Sequence, residues 1–402
     1  MSLDLHAIYT DLHAHPELSW AEHRTGAVVV KHLGELGLEI VAGLAGTGVA
    51  GILRNGEGPT VLLRADMDGL PVEELTGLEY ASRERGVDPD GIDVPVMHAC
   101  GHDVHVTALL GAVERLVATR DEWSGTLVAL FQPAEERDGG AQALVREGLY
   151  ERIPKPDIVL GQHVTGLPAG TVSVHAGAAM AAVDTFHVTL HGRGGHGSRP
   201  EVTVDPVLLA SHAVVRLQGL VAREIAPAET GVVTVGSIHA GTKSNIIPAE
   251  ARLEISVRSF NDATRDVLVD GVARVLRAES LASNAPREPE IVHGESFPVT
   301  FNDPEATERL RGVFRGVLGE NRVGDLGRLS GSEDVGVLAA AAGAPLVYWF
   351  LGGFAPEPWT GPIDVFDPDL PSNHSAYFAP VIEPTLSTGV SALVAAAREY
   401  LG

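Results

Sequence analysis

The densest run of chemically competent side chains is Met97-His98-Ala99-Cys100-Gly101-His102-Asp103-Val104-His105. A thiolate and an imidazole two positions apart can reach one metal ion if the backbone turns sharply between them, and Gly101 permits that turn. Two other readings stand beside this one. A cysteine nucleophile paired with a histidine would have to form its dyad inside one tight loop, with no acidic group to orient the base. A histidine-rich surface loop would do no chemistry at all.

Two carboxylate pairs follow apolar runs. Asp66-Met67-Asp68 could bind a metal or orient a metal-bound histidine, and could equally cap a strand-to-loop turn. Glu135-Glu136, after Phe131-Gln132-Pro133, could divide its work between holding metal and moving protons, or could be an exposed pair at a helix start. His163 in Gly161-Gln162-His163-Val164 and His374 in Ser372-Asn373-His374-Ser375 complete the set. Each histidine alone reads more readily as a hydrogen-bonded structural residue. Their conjunction with the lone cysteine favours a metal site.

The elements that must carry these groups alternate. Thr25 to Leu36 has helical spacing, whereas Thr60 to Leu63, Leu127 to Phe131 and Ile158 to Leu160 are short apolar strands bounded by turn residues. That alternation predicts an α/β layer with a buried sheet, and the polar clusters fall just after its strands, where such sheets bind ligands. The pattern changes near Val183. A strand over Phe186 to Leu190, a helix over Asp205 to Ala222, strands over Gly231 to Ile238 and Ala251 to Ser259, a helix over Asp262 to Leu276 and a strand over Glu288 to Val292 form the split βαβ plan. The expected organisation is a catalytic domain over 1–182 and 295–402, interrupted by a second domain over 183–294. The first domain resumes with a helix over Pro304 to Leu318, a strand over Ala344 to Phe350 and a helix over Pro384 to Tyr400. Arg83 to Asp93 reads as a solvated loop.

Composition narrows the partners. The 402 residues include 53 acidic and 29 basic side chains, a net charge of −24, which repels nucleic acid and anionic membranes. One cysteine rules out an intrachain disulfide. No apolar run approaches the roughly 20 residues that span a bilayer, and the first residues do not read as a signal peptide. A cytoplasmic location is the expectation.

Six segments in order resemble the motifs of the M20 metallopeptidase family: Leu12-His13-Ala14-His15-Pro16-Glu17-Leu18, Arg64-Ala65-Asp66-Met67-Asp68-Gly69-Leu70-Pro71, Met97 to Asp103, Phe131-Gln132-Pro133-Ala134-Glu135-Glu136, Gly192-Arg193-Gly194-Gly195-His196-Gly197 and Asn245-Ile246-Ile247-Pro248. The branch they most resemble is the amidohydrolases of N-acyl amino acids, hippurate and indole-acetyl-amino-acid hydrolases among them. The resemblance implies an aminopeptidase-like catalytic domain holding two divalent metal ions, with an inserted α+β ferredoxin-like lid that mediates a homodimer or homotetramer. Carried over by position, the implied metal ligands are Cys100, His102, Glu136, His163 and His374. Glu135 matches the general base and Asp68 the residue that orients a ligand, while Asp66 and Asp103 are not carried over as ligands. His196 matches a donor to the tetrahedral oxyanion, reaching the site after lid closure or from a neighbouring subunit. Asn245 and Arg258 match lid residues that contact substrate, Arg258 as a clamp on a carboxylate. The mixed donor set admits Zn2+, Mn2+ or Co2+. The implied reaction is hydrolysis of an N-acyl amino acid, with a dipeptidase or carboxypeptidase and a metal-dead binding module as alternatives. Gly331-Ser332-Glu333-Asp334 resembles a further motif but continues with Val335 where an aromatic is usual, a departure expected to alter the acyl pocket.

Overall fold

Strands buried on both faces read as unbroken apolar runs, and Thr60–Asp66 and Gly125–Gln132 lie side by side as parallel neighbours inside an eight-stranded sheet. The sheet order is Glu39–Leu44, Gly48–Asn55, Gly125–Gln132, Thr60–Asp66, Ile158–Pro168, Leu346–Phe354, Val172–Ser173 and Val323–Gly324. This computed structural model describes residues 3–137, 139–354 and 369–402. Its chain forms two units, one of Met1–Ala179, Phe301–Leu329 and Asp334–Gly402, the other of Met180–Thr300 and Ser330–Glu333.

In the larger unit, register brings the chemistry to one sheet edge. Asp66 pairs with Gln132, and Arg64 pairs with Gly161. Asp66 and His163, each two residues beyond Arg64 and Gly161, therefore stand at one level. The helix His102–Ala118 is buried at every position from His102 to Val113. It packs against the closing helix Thr385–Leu401, and a helix that is apolar nearly all round belongs in a core.

The smaller unit has the expected order of strand, helix, strand, strand, helix, strand. Its antiparallel sheet runs Gly231–Ala240, Glu250–Ser259, Ala182–His191, Glu290–Phe297. Along the central strand Ala251, Leu253, Ile255 and Val257 are buried at period two. Leu209, Leu217 and Leu220 of the helix Pro206–Arg223 and Leu268, Val272 and Leu276 of the helix Asp262–Ala282 join the same core.

Some local expectations change. Gly161-Gln162-His163 does not follow its strand but lies inside Ile158–Pro168, because the apolar run continues through Val164 and Leu167. Arg64 and Asp66 are likewise strand residues. The segment expected as a solvated loop contains a short hairpin, Arg85–Val87 against Asp93–Pro95. No helix among the described residues is long and apolar enough to cross a membrane.

Candidate metal centre and active site

Gly101 shapes the centre. It has φ 78, a conformation that favours glycine, and a Cβ there would meet Val164 Cγ1 at 2.3 Å. The turn sends Cys100 to the sheet edge and starts the helix at His102. Cys100 Sγ lies 3.4 Å from His163 Nε2. The ligand-capable atoms of Cys100, His102 and Glu136 all lie within 4.8 Å of one another.

One carboxylate organises the neighbouring turn. Asp68 Oδ1 accepts the N–H of Glu135 at 3.1 Å and lies 3.2 Å from His102 Nδ1. Its Oδ2 accepts the N–H of Glu136 at 3.0 Å and the Ser19 hydroxyl at 2.7 Å. Asp68 therefore spans the histidine and both glutamates. Glu135 is buried, and its side chain starts from a turn fixed on both amides.

His374 closes the set from a distant segment. Its Nε2 lies 3.1 Å from Glu136 Oε1, and its own N–H donates to Ala99 O at 2.8 Å. Beside it Asn373 Nδ2 donates to Val164 O at 3.1 Å and, at a longer 3.4 Å, to Cys100 O, tying the cysteine loop to the strand that carries His163. Cys100, His102, Glu136, His163 and His374 thus converge, although they come from four separate stretches of chain.

The chemistry of this donor set fits a divalent cation. His102 Nε2 is buried without a hydrogen-bond partner, 3.6 Å from Asp66 Oδ2 and 3.8 Å from Glu136 Oε1, a state polar atoms rarely occupy unless something else satisfies them. Burial pushes the Cys100 thiol well up, helped by Glu136 and Glu135, so a thiolate there requires a cation beside it. Burial opposes charge on His102, yet Asp66, Asp68 and Glu136 outweigh it and raise the imidazole to about 10. That negative surround attracts a cation. Sulfur, nitrogen and oxygen donors together suit zinc and admit other first-row metals.

The partners of several residues at the centre had no signal in the sequence. His105 Nδ1 donates to Asp66, and His105 Nε2 accepts the Val164 N–H at 2.8 Å. Both its nitrogens are used, so this ring braces the strand next to His163. Asp66 also takes Arg64 Nη1 at 2.6 Å; burial would raise it, but Arg64, His102 and His105 hold it well below the usual carboxylate range. Arg64 is fully buried and reaches Gln132 Oε1 at 2.9 Å and Asp334 Oδ1 at 3.0 Å. Asp334 accepts the Ala141 N–H at 2.8 Å as well. The Gly331 to Asp334 motif thus supplies a buried counter-ion, and Val335 is buried at the start of the helix Val335–Ala342. Asp103 turns away from the ligand set to His13 Nδ1, at 2.7 Å. Arg64, a charged residue inside an apolar strand, was the one signal that a buried counter-ion pair lay here.

His196, Asn245 and Arg258 belong to the smaller unit. His196 is exposed on the short strand Gly195–His196, which pairs with Ile246–Ile247. Its Nδ1 accepts the Ser198 N–H at 3.1 Å. A neutral ring bound this way carries its proton on Nε2 and presents a donor. The exposed Asn245 accepts the Gly197 N–H through its backbone oxygen at 2.8 Å, fixing the two loops together. Arg258 Nη1 donates to Ser330 O at 2.6 Å and Ser332 Oγ at 3.0 Å.

A sheet that gathers thiol, imidazole and carboxylate donors at one edge, next to a buried glutamate, is suited to metal-dependent hydrolysis. Residues 62–398 match the profile of peptidase family M20/M25/M40, and the chain belongs to that family. Thermostable carboxypeptidase 2 of Saccharolobus solfataricus is 36% identical over 346 residues, covering 85% of this chain and 84% of that protein. Hippurate hydrolase of Campylobacter jejuni is 37% identical over 330 residues, covering 81% and 82%. Among solved structures, a Bacillus subtilis protein described as a dinuclear metal binding peptidase of the M20 family matches with a TM-score of 0.76 at 27% identity, over 98% of each chain.

Proposed function

We propose that the protein hydrolyses N-acyl-L-amino acids to a free amino acid and a carboxylic acid, using two divalent metal ions held by Cys100, His102, Glu136, His163 and His374. The observation that carries this is the placement of Glu135 directly beside the ligand Glu136, with both amides held by Asp68. Bound metal ions would supply acidity to a water molecule and polarise the scissile carbonyl. Glu135 accepts the proton of the attacking water on its carboxylate. It then passes that proton to the leaving nitrogen as the C–N bond breaks. Asp68 keeps His102 and the two glutamates in register. His196, with its donor nitrogen outward, is assigned to the developing oxyanion. Asn245 and Arg258 are assigned to substrate contact. Arg258 is held in place by Ser330 and Ser332, and it offers a local cation to a carboxylate that the chain's charge of −24 would otherwise repel.

Likeness to a protein named carboxypeptidase supports a second reading, cleavage of a peptide's C-terminal residue with the same residues. A panel of N-acetyl, N-benzoyl and long-chain N-acyl amino acids, run beside dipeptides and longer peptides, separates the two. N-acyl turnover that disappears on chelation and returns with Zn2+, Mn2+ or Co2+ is the expected result. Robust peptide cleavage without N-acyl turnover would favour the second reading. Activity that survives chelation and is lost on thiol alkylation would instead favour a cysteine nucleophile. A homodimer or homotetramer formed through the smaller unit, and a reducing cytoplasm that preserves the Cys100 thiol, complete the proposal; light scattering and redox titration of metal content test them.

A further inference from the structure

We propose that Glu22 is a positioning residue for catalysis, its carboxylate holding the backbone turn from which Glu135 acts. This rests on the assignment of Glu135 as the general base. Glu135 follows Ala134, whose φ of 51 lies in the left-handed region, unfavourable for a residue with a Cβ. Such a conformation persists only where the surroundings impose it. Here the imposing group is Oε1 of Glu22, which accepts the Ala134 N–H at 2.8 Å. The same oxygen accepts the N–H of Trp20 at 3.1 Å, and Trp20, with φ 70, is also left-handed. Oε2 accepts the Thr47 hydroxyl at 2.7 Å. Glu22 has no exposed surface.

With Asp68 taking the N–H groups of Glu135 and Glu136, three consecutive amides, from Ala134 to Glu136, are bound by two buried carboxylates. Both carboxylates are tied to one short stretch of chain. Ser19 donates to Asp68 at 2.7 Å, and Glu22 lies three residues on. The turn is gripped from its other side, where Gly140 donates to Ala134 O at 2.8 Å and a Cβ on Gly140 would meet Pro133 O at 1.7 Å.

Helix capping does not account for the side chain. Glu22 occupies the N-cap position of the helix His23–Glu35, yet its carboxylate makes no capping bond to that helix. A buried carboxylate whose described donors are two left-handed amides and a hydroxyl is placed where it is unfavourable for stability. Burial, with Asp68 nearby, raises Glu22 to about 7. Its placement is intelligible as the means of aiming the residue that follows Ala134. Misplacement of a catalytic group by about 1 Å costs on the order of 100-fold in rate.

The test combines steady-state kinetics with hydrogen exchange measured by mass spectrometry on the metal-replete enzyme. Glu22→Ala is expected to lower kcat about 100-fold with KM within about 3-fold, since the bound substrate is held elsewhere. Its metal content should equal that of the wild type, and amides in the peptide over 131–137 should exchange about 10-fold faster or more. Glu22→Gln retains an oxygen for the Ala134 N–H, so it should recover at least about a tenth of the wild-type kcat and the slow exchange. The proposal is overturned if Glu22→Ala keeps its kcat, if its KM rises in step with the lost turnover, or if Glu22→Gln is as defective as Glu22→Ala. If Glu22→Ala does not fold, Thr47→Val replaces it; a kcat about 5-fold lower is expected, and an unchanged kcat overturns the proposal. A wild type that cleaves no member of the panel would defeat the assigned reaction instead. In that event the exchange arm still decides, because unchanged protection over 131–137 in Glu22→Ala removes the grip inferred here.

Discussion

His13 offers the sharpest physical test of the larger unit. The ring is 1% exposed and sits between two carboxylates, with Nδ1 2.7 Å from Asp103 and Nε2 3.1 Å from Glu74. Burial pulls its pKa down, but hydrogen bonds and charge from both carboxylates prevail and raise it from 6.5 to about 10. A histidine held protonated by the fold contributes stability fully below its unfolded pKa and loses it as pH rises through the folded one. The window is therefore pH 6.5 to 10. At about 1.4 kcal/mol per pH unit the whole contribution is on the order of 5 kcal/mol, with about 3 kcal/mol lost between pH 7 and pH 9. His13→Leu keeps much of the volume but leaves Asp103 and Glu74 buried without a cation. It should cost about 3–5 kcal/mol at pH 7. Urea unfolding of both proteins at pH 7 and pH 9, at one fixed free-metal concentration, gives the difference between them. That difference should shrink by about 3 kcal/mol at the higher pH. A difference that stays flat, or an imidazole resonance titrating below pH 7, would refute the proposed charge on His13.

Three further substitutions probe separate parts of the centre. Gly101→Ala places a methyl 2.3 Å from Val164 Cγ1 at a φ of 78, so a loss of about 2–4 kcal/mol in thermal or urea stability and a reduced metal content by elemental analysis are expected. Glu135→Gln removes the proton acceptor but no assigned ligand. Turnover should fall by about 100- to 10,000-fold while metal content is unchanged. Arg64→Met removes the buried cation that Asp66 and Asp334 share and should destabilise by about 3–5 kcal/mol in urea; the additional replacement Asp334→Leu should return part of that loss.

Cys100, Gly101 and His102 were legible in the sequence because their geometry is local. Two donors on either side of a glycine need only one turn to face one point. Asp68, Glu135 and Glu136 were legible for a related reason, as each follows one of two parallel neighbouring apolar strands in a mixed sheet, and those strands end at one level. The smaller unit was readable from period-two alternation such as Ala251, Leu253, Ile255 and Val257, which a one-sided sheet imposes on its sequence. His163 shows where this fails. A buried strand has no polar face to mark its end, so apolar residues beyond the histidine extended it unnoticed.

The partners of Glu22, His105 and Asp334 were not legible. Each is an ordinary acid or imidazole whose role depends on a partner far along the chain: Glu22 on Ala134, His105 on Val164, Asp334 on Arg64. Donor types, strand and helix periods and the glycine that permits the ligand turn were properties of the sequence itself, because they depend on neighbouring residues. Which carboxylate holds a backbone turn and which neutralises a buried arginine was decided only by the tertiary structure. Burial removes water as a partner, and only the folded chain determines which polar group replaces it.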